Sequence, residues 1–439
     1  MQICVVALGK IGLPLAVQFA AQGHHVIGAD VDEHVVRLVN EGVEPFPGEA
    51  GLGEKLKNVV AEGRLLATTD TTSAVTQARA VVIVVPLYVG TEGSPDFTWM
   101  DAATRAVARG LQTGTLVSYE TTLPVGTTRG RWAPMLEQGS GLTAGRDFAL
   151  VFSPERVLTG RVFADLRRYP KLLGGIDAAS ARRGVEFYES VLDFDVRDEL
   201  PRPNGVWDLG SAEAAEFAKL AETTYRDVNI GLANQFARFA DRIGVDVDLV
   251  IDACNSQPYS HIHRPGIAVG GHCIPVYPQM YLWNDSDATV VRAARAANAS
   301  MPEYAVRRLA EVYGDLTGAG VLVLGAAYRG GVKETAFSGV FPVVETLRAR
   351  GASPYVSDPL YGADELRALG LPPYTGQAVT AAVIQADHGE YRELGSDQFP
   401  DVRVVVDGRR ITDRDRWAGA EVIVLGATSP TAQRKGAPA

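Results

Sequence analysis

The chain has 439 residues, a formal net charge of −10 and 46% apolar residues. At about 150 residues per domain this length predicts two or three domains, and the composition is that of a globular protein. The negative charge argues against nucleic acid or an anionic membrane surface as a partner. No apolar run reaches the ~18 residues of a membrane helix. The first residues resemble a buried strand and not a signal peptide, so we expect a cytoplasmic protein.

The first 30 residues predict the opening β-α-β unit of a Rossmann fold. Their turn reads Ala-Leu-Gly-Lys-Ile-Gly at 7–12, which keeps two of the three glycines of a dinucleotide fingerprint. Gly9 would let a pyrophosphate approach the backbone, and Gly12 would let the helix pack against the strand. Asp30 ends the second strand, where it would hydrogen-bond the adenosine ribose and repel a 2′-phosphate. The pattern favours NAD over NADP, with a ligand-free structural turn as the alternative.

Strand-like runs at 80–85, 115–119 and 149–152 alternate with helical stretches, as a doubly wound sheet requires. The loops after these strands are where such a sheet holds ligands. A Pro/Gly/Asn-rich stretch at 201–210 breaks the pattern and predicts a linker.

A long apolar periodicity follows the predicted linker. With Ser211 as N-cap it runs to Ile243, which predicts a helix of ~33 residues and ~50 Å. Such a helix would bridge two domains and pack against a second subunit; a buried helix within one subunit is the alternative.

Strands at 321–325, 354–357, 383–384, 402–406 and 422–425 predict a second, smaller α/β unit without the dinucleotide fingerprint. The expected fold class is therefore α/β, with two Rossmann-like doubly wound domains joined by a long central helix and a helical dimerisation region. The expected domains are an NAD-binding domain at 1–200, a central helical region at 201–310, a second α/β domain at 311–427 and a disordered tail at 428–439.

Chemistry is expected at the segment Gly-Gly-His-Cys-Ile-Pro, residues 270–275. A glycine turn lets a ligand approach Cys273 closely, so the thiol is a candidate nucleophile, with a buried packing cysteine as the alternative. His261, His263, His272 and Cys273 also allow a zinc interpretation, but adjacent His272 and Cys273 would point apart, and we expect no metal.

Several motifs together resemble the nucleotide-sugar 6-dehydrogenase family, which includes UDP-glucose and GDP-mannose dehydrogenases. They are Ser-Pro-Glu-Arg-Val-Leu at 153–158, Lys-Leu-Ala-Glu at 219–222, Thr-Tyr-Arg-Asp-Val-Asn at 224–229, Gly-Gly-His-Cys-Ile-Pro at 270–275 and Ser-Met-Pro-Glu-Tyr at 300–304. The form at 270–275 is similar to the branch that acts on UDP-N-acetylhexosamines. The resemblance covers about residues 1–427, and it implies that the domain at 311–427 binds the nucleotide sugar.

The resemblance implies NAD-dependent oxidation of a sugar C6 alcohol to a carboxylate, in a dimer or larger homo-oligomer, through a thiohemiacetal and a thioester on a cysteine. It assigns catalytic roles to Cys273, Lys219, Glu155, Thr122 and Thr223. It assigns cofactor binding to Gly9, Lys10, Ile11, Gly12, Asp30, Val85, Pro86 and Thr122. It assigns substrate binding to Glu155, Arg156, Val157, Leu158, Lys219, Arg226, Tyr259, Arg264, Gly270, Tyr328 and Arg329. Without the resemblance, Lys219 would be interpreted as an exposed helix lysine and Glu155 as a carboxylate at a helix start.

The chain also departs from the family pattern near the expected sugar site. Thr223 stands where the family has Asn, Tyr277 where it has Asp, and Tyr259 and Ala336 where it has Arg. Two alternatives therefore remain: a two-electron dehydrogenase that releases an aldehyde, and a silent paralogue that only binds a nucleotide sugar.

Overall fold

The computed structural model describes residues 1–90 and 93–427, so the predicted tail at 428–439 lies outside the described residues. The chain divides into two units. The first comprises Met1–Glu222 and Gln279–Asn284, and the second comprises Thr223–Pro278 and the residues from Asp285 onward.

The first unit is built on an eight-stranded sheet in the order β10-β9-β8-β7-β4-β1-β2-β3. Its strands are β1 (Gln2–Val6), β2 (His25–Ala29), β3 (Leu65–Thr68), β4 (Ala80–Ile83), β7 (Leu116–Tyr119), β8 (Ala149–Phe152), β9 (Lys171–Gly175) and β10 (Val206–Asp208), with a separate antiparallel hairpin of β5 (Tyr88–Val89) and β6 (Pro95–Asp96). All neighbouring strands of the sheet are parallel except β8 and β9. Strand order reverses between β1 and β4, which creates the crevice where such sheets bind ligands.

Helices cover this sheet because its central strands are buried apolar runs that need shielding on both faces. The helices are α1 (Gly12–Ala21), α2 (Glu33–Asn40), α3 (Leu52–Ala61), α4 (Thr71–Thr76), α5 (Thr98–Gly110), α6 (Ala133–Ser140), α7 (Val162–Arg168) and α8 (Ala178–Val191), with a π-helical turn at Thr128–Trp132. Leu15, Phe19 and Leu56 are among the fully buried side chains of the core.

The predicted long helix is α9 (Ala212–Ile243), and its residues belong to both units. The predicted N-cap is confirmed, because the Ser211 hydroxyl accepts a hydrogen bond from the Ala214 amide at 3.1 Å. The prediction that residues 201–210 form only a linker is wrong, because this stretch contains β10, which pairs with β9 at the edge of the sheet.

The second unit holds a five-stranded parallel sheet in the order β12-β11-β13-β14-β15. Its strands are β11 (Gly320–Leu324), β12 (Ser353–Ser357), β13 (Ala381–Ile384), β14 (Val404–Asp407) and β15 (Glu421–Val424). Its helices are α10 (Val247–Asn255), α12 (Thr289–Ala299), α13 (Met301–Tyr313), α14 (Val340–Ala349) and α15 (Ala363–Ala368), with 3₁₀ turns at Gly389–Glu393 and Arg414–Trp417; α11 (Tyr277–Asn284) has residues in both units. None of the helices within residues 1–90 and 93–427 is both long and apolar enough to cross a membrane.

Candidate active site

The glycine turn at 7–12 connects β1 to α1 at the carboxyl edge of the first sheet. Ala7, which replaces the first fingerprint glycine, has the left-handed φ of 76° that a glycine adopts freely. A Cβ on Gly12 would lie 1.9 Å from the Ala7 carbonyl oxygen, so only glycine fits there. A Cβ on Gly9 would meet nothing within 4 Å, which leaves open space for a pyrophosphate. This turn therefore fits a dinucleotide.

Asp30 follows β2 and braces this turn. Its Oδ2 accepts a hydrogen bond from the Leu8 amide at 2.7 Å, and its Oδ1 accepts one from the Asp32 amide at 2.9 Å. Asp30 remains partly exposed, so lone pairs stay available to ribose hydroxyls. A fixed carboxylate here would repel a 2′-phosphate, which fits NAD better than NADP. Lys10 and Ile11 lie in the same turn, exposed and half-buried respectively.

The loops after β4 and β7 lie at the same edge of the sheet as this turn, because β4 pairs with β1 and β7 pairs with β4. Val85 is buried and Pro86 is exposed. The Thr121 hydroxyl donates a hydrogen bond to the Val85 carbonyl at 2.7 Å and ties the two loops together. Thr122 is 4% exposed. The structure thus brings the expected cofactor residues to one edge of one sheet.

A buried network of charges surrounds Glu155, after β8. Lys171, the first residue of β9, is 5% exposed, and its ammonium donates hydrogen bonds to Glu155 and, at 2.9 Å, to Glu120. The Tyr188 hydroxyl donates to the other oxygen of Glu120 at 2.6 Å and lies 2.7 Å from the Ser118 hydroxyl. Burial lowers the pKa of Lys171, and Glu120 opposes that shift by favouring the charged form. Sequence reasoning missed Lys171 and Glu120, although a lone lysine opening an apolar strand was a signal.

Lys219 projects from α9 toward the same loop. It is 9% exposed, and its ammonium donates a hydrogen bond of 2.7 Å to the Glu155 backbone carbonyl. The interpretation of Lys219 as an exposed helix lysine is therefore wrong. Glu155 is thus bound by two lysines, through its carboxylate by Lys171 and through its carbonyl by Lys219.

Glu216, one turn before Lys219, anchors α9 to the loop after Thr122. Its carboxylate accepts hydrogen bonds from the Gly126 amide at 2.6 Å and from the Thr128 amide and hydroxyl at 2.8 and 2.7 Å. Burial raises the pKa of Glu216 to about 7, although these three donors oppose the shift.

The three residues after Glu155 have other partners. Arg156 donates to both oxygens of Glu222, at 3.0 and 3.2 Å. Val157 packs against the core, and Leu158 is about half exposed. In the first unit, Glu155 and Lys219 are therefore the predicted substrate residues that share a charged cluster.

In the second unit, Cys273 lies in a tight turn with an exposed side chain. Gly271 has a φ of 89°, and its amide donates to the Ala336 carbonyl at 2.8 Å. A Cβ on Gly270 would lie 2.5 Å from the Cβ of Tyr328, so the glycines allow the 328–337 loop to cover this turn. The Cys273 carbonyl accepts from the Tyr277 amide at 2.9 Å, which holds the cysteine just before α11.

The loop that carries Tyr328 and Arg329 starts at the carboxyl end of β11, where the strand order of the second sheet reverses. The Arg329 guanidinium donates to the Tyr328 hydroxyl at 3.2 Å. Arg409 donates to the Tyr328 carbonyl at 3.1 Å and to the Gln385 carbonyl at 2.7 Å. Gly270, Tyr328 and Arg329 thus form one cluster, and Cys273 follows Gly270 by three residues along the chain.

The remaining predicted residues of the second unit have separate surroundings. Thr223 is 4% exposed, whereas Arg226 is exposed and Tyr259 is 93% exposed. Arg264 pairs with Asp248 at 3.3 Å and with Asp252, both on α10.

The histidines of the zinc interpretation have different partners. His263 packs edge-on against Tyr225 with ring centroids 6.0 Å apart, and His272 lies 3.3 Å from Glu334. Within residues 1–90 and 93–427, His, Cys, Asp and Glu form no group of three or more that could hold a metal ion.

Three family models match consecutive parts of the chain. They describe the UDP-glucose/GDP-mannose dehydrogenase family: its NAD binding domain at 1–192, its central domain at 213–300 and its UDP binding domain at 322–414.

Individual proteins match over nearly the whole length. A UDP-N-acetyl-D-mannosamine dehydrogenase of Pyrococcus horikoshii is 34% identical over 424 residues, covering 94% of this chain and 96% of that protein. A solved structure of the UDP-D-ManNAc dehydrogenase from P. horikoshii superposes with a TM-score of 0.85 at 32% identity, covering 97% and 99% of the two chains. A UDP-glucose dehydrogenase structure from Pyrobaculum islandicum gives a TM-score of 0.84 at 28% identity and covers 98% of each chain.

Proposed function

Because the chain belongs to the UDP-glucose/GDP-mannose dehydrogenase family, we propose that it oxidises the C6 alcohol of a UDP-linked N-acetylhexosamine to the carboxylate. It is an NAD-dependent nucleotide-sugar dehydrogenase. The observation that supports the proposed four-electron reaction most is the exposed Cys273 in its close-packed glycine turn. The proposal of an N-acetylhexosamine as the sugar is based on the Gly-Gly-His-Cys-Ile-Pro form at 270–275 and on the 34% identical relative.

When bound at the turn of Gly9 and Gly12, NAD would supply a hydride acceptor, and the four-electron oxidation of one sugar would require two NAD molecules. After the first oxidation, the Cys273 thiolate adds to the C6 aldehyde and forms a C–S bond. The resulting thiohemiacetal gives up the second hydride and becomes a thioester. Water then adds to the carbonyl carbon, the C–S bond breaks, and the thiolate leaves with the electron pair as the acid is released.

Lys219 and Glu155 have complementary tasks in this scheme. The Lys219 ammonium stabilises the alkoxide of the first step and the oxyanion of the later ones. Glu155 accepts the proton of the attacking water, and the hydroxyls of Thr122 and Thr223 orient that water. The position of Lys219 against the Glu155 carbonyl supports a joint role for the two residues.

The test is stoichiometry: the protein is incubated with NAD and a panel of nucleotide sugars, and NADH formed is counted per sugar consumed. We expect two NADH and an acid for a UDP-N-acetylhexosamine. The Cys273→Ser variant should form no acid. Formation of one NADH and one free aldehyde per sugar would contradict the four-electron reaction. It would favour the two-electron alternative, which is based on the departures from the family pattern at Thr223 and Tyr277. No turnover with any sugar, together with tight binding, would favour the silent paralogue.

We also propose that a second copy of the chain covers an exposed apolar stripe on α9. The stripe consists of Tyr225, Leu232, Phe236, Phe239 and Ile243, which are 36–53% exposed. Their spacing of seven, four, three and four residues puts them on one helix face. Contiguous exposed apolar side chains of this kind mark protein interfaces.

The stripe can be tested by light scattering coupled to size exclusion. Wild-type protein should elute as a dimer or larger species, and Phe239→Glu should shift it toward the monomer. Lys10→Glu, which changes the charge of an exposed residue off this helix, controls for a general effect of charge. A monomeric wild-type protein would contradict the dimer.

A further inference from the structure

We propose that Lys171 is a positioning residue for thioester hydrolysis: its ammonium holds one oxygen of Glu155, so that the other faces the attacking water. This inference rests on the proposed function, in which Glu155 takes the proton of that water. In this scheme Lys171 acts only through Glu155.

Lys171 is fixed by its surroundings. Its ammonium lies between Glu120 and Glu155 and 4.7 Å from the centre of the Tyr188 ring. Its backbone amide donates to the Gly205 carbonyl at 3.0 Å, which locks the start of β9. At 5% exposure the side chain cannot turn to solvent, so it presents Glu155 with one fixed donor. A preorganised contact of this kind costs no rearrangement during the reaction.

The cluster around Glu155 is balanced in charge. It holds two carboxylates and two ammonium groups: Lys171 donates to the carboxylates of both Glu120 and Glu155, and Lys219 donates to the Glu155 backbone carbonyl. The neighbouring elements contribute groups that are already paired: Arg156 with Glu222 on α9, and Asp165 on α7 with Arg161. On α8, Tyr188 donates its proton to Glu120. Lys171 is therefore the cation that separates the two carboxylates, and its contact fixes one oxygen of Glu155.

Replacing Lys171 alone would leave Glu120 buried without its cation, and such a variant could unfold. The informative protein is therefore the double variant Lys171→Met, Glu120→Gln, compared with Glu120→Gln alone. Both retain the hydrogen-bonding groups around Tyr188, and only the double variant lacks the ammonium at Glu155. Lys171→Arg is a second test that keeps the buried charge but has a larger, planar donor group.

The experiment is rapid mixing with NAD and the active sugar, with NADH, released acid and the adduct on Cys273 followed separately. In the double variant we expect both NADH-forming steps within about threefold of Glu120→Gln, hydrolysis slower by about 10²-fold, and thioester accumulating on Cys273. Lys171→Arg should hydrolyse about tenfold more slowly, because its larger planar group would displace the Glu155 carboxylate, and should leave the NADH-forming steps unchanged.

Unchanged hydrolysis in either Lys171 variant would overturn the proposal. Equal slowing of all three steps would also overturn it, because it would assign Lys171 a purely structural role. Failure of the proposed function has a different signature: the wild type and Glu120→Gln would then form no second NADH and no thioester.

Discussion

The buried Glu216 gives the clearest prediction about pH. It lies on α9 one turn before Lys219 and ties this helix to Gly126 and Thr128. Because burial raises its pKa from 4.5 to about 7, the folded protein binds this proton more tightly than the unfolded chain does. The stabilisation that protonated Glu216 provides is therefore fully present below about pH 4.5 and is lost as the pH rises through about 7. The change from 4.5 to about 7 corresponds to about 3 kcal/mol.

The Glu216→Gln variant removes this titration. We expect the free energy of unfolding of the variant minus that of wild type to rise by about 2 to 3 kcal/mol between pH 5 and pH 8. Urea unfolding followed by tryptophan fluorescence measures this in the first unit, which holds Trp99, Trp132, Trp207 and Trp283.

Glu213, three residues earlier on α9, is a matched control of opposite sign. Its hydrogen bond with Arg129, 2.5 Å long, lowers its pKa, so its contribution is present above its ordinary pKa and disappears as the pH falls. Glu213→Gln should therefore be less stable than wild type near neutral pH and should lose this difference in acid. Glu216→Gln should show the opposite trend, with its largest loss of stability in acid. A difference between Glu216→Gln and wild type that stays constant from pH 5 to 8 would refute the reasoning.

Three further outcomes are expected. Gly12→Ala should weaken NAD binding at least tenfold in calorimetry while nucleotide-sugar binding persists, because its Cβ would meet the Ala7 carbonyl at 1.9 Å; NAD binding at wild-type strength would contradict this. Asp30→Asn should raise the ratio of kcat/KM for NADP to that for NAD about tenfold or more, because a charge facing the 2′-phosphate is removed; an unchanged ratio would show that Asp30 does not select the cofactor. Thr223→Asn with Tyr277→Asp should accelerate the steady phase after an NADH burst, since a lost hydrogen-bond partner for the water costs about 10²- to 10³-fold; a wild-type trace without a burst would argue against slow hydrolysis.

Local patterns predicted most of the fold. The β-α-β opening and the 32-residue α9 follow from apolar periodicity and a single N-cap, which are properties of neighbouring residues. The strand β10 was missed because its three residues stand among proline, glycine and asparagine, and it forms only by pairing with β9, more than 30 residues earlier.

The site divides in the same way. The cofactor turn and Asp30 were predictable because the β-α-β unit itself brings them together. The cluster of Lys171, Glu120 and Glu155 was not, because these residues start or follow three different strands, and the antiparallel β9 brings the lysine beside the ends of the other two. No spacing along the chain encodes that contact.

The two sheets also explain why only one of them carries a dinucleotide turn. Each has an aspartate after its second strand, Asp30 in the first and Asp358 in the second. Asp358 is 6% exposed, accepts hydrogen bonds from the Ala326 and Ala327 amides at 2.8 and 3.0 Å, and lies 3.1 Å from the His388 ring. Burial pushes its pKa upward, but His388 and the backbone amides of Ala327 and Leu360 hold it below its usual range.

The Asp358 carboxylate is thus buried and hydrogen-bonded within its own unit, whereas Asp30 is partly exposed. The two turns that these aspartates hold by hydrogen bonds also differ in how closely other side chains pack against them. Gly9 borders open space. Gly325, the first residue after β11, stands where the first turn has Ala7, and a Cβ there would lie 2.4 Å from the Cβ of Ala386. Gln385 closes this turn further by donating to the carbonyls of Gly325 and Ala327. The first turn therefore borders open space at Gly9, whereas side chains of its own unit pack against the second turn. We expect a ligand of the second unit to contact the longer loop that carries Tyr328 and Arg329.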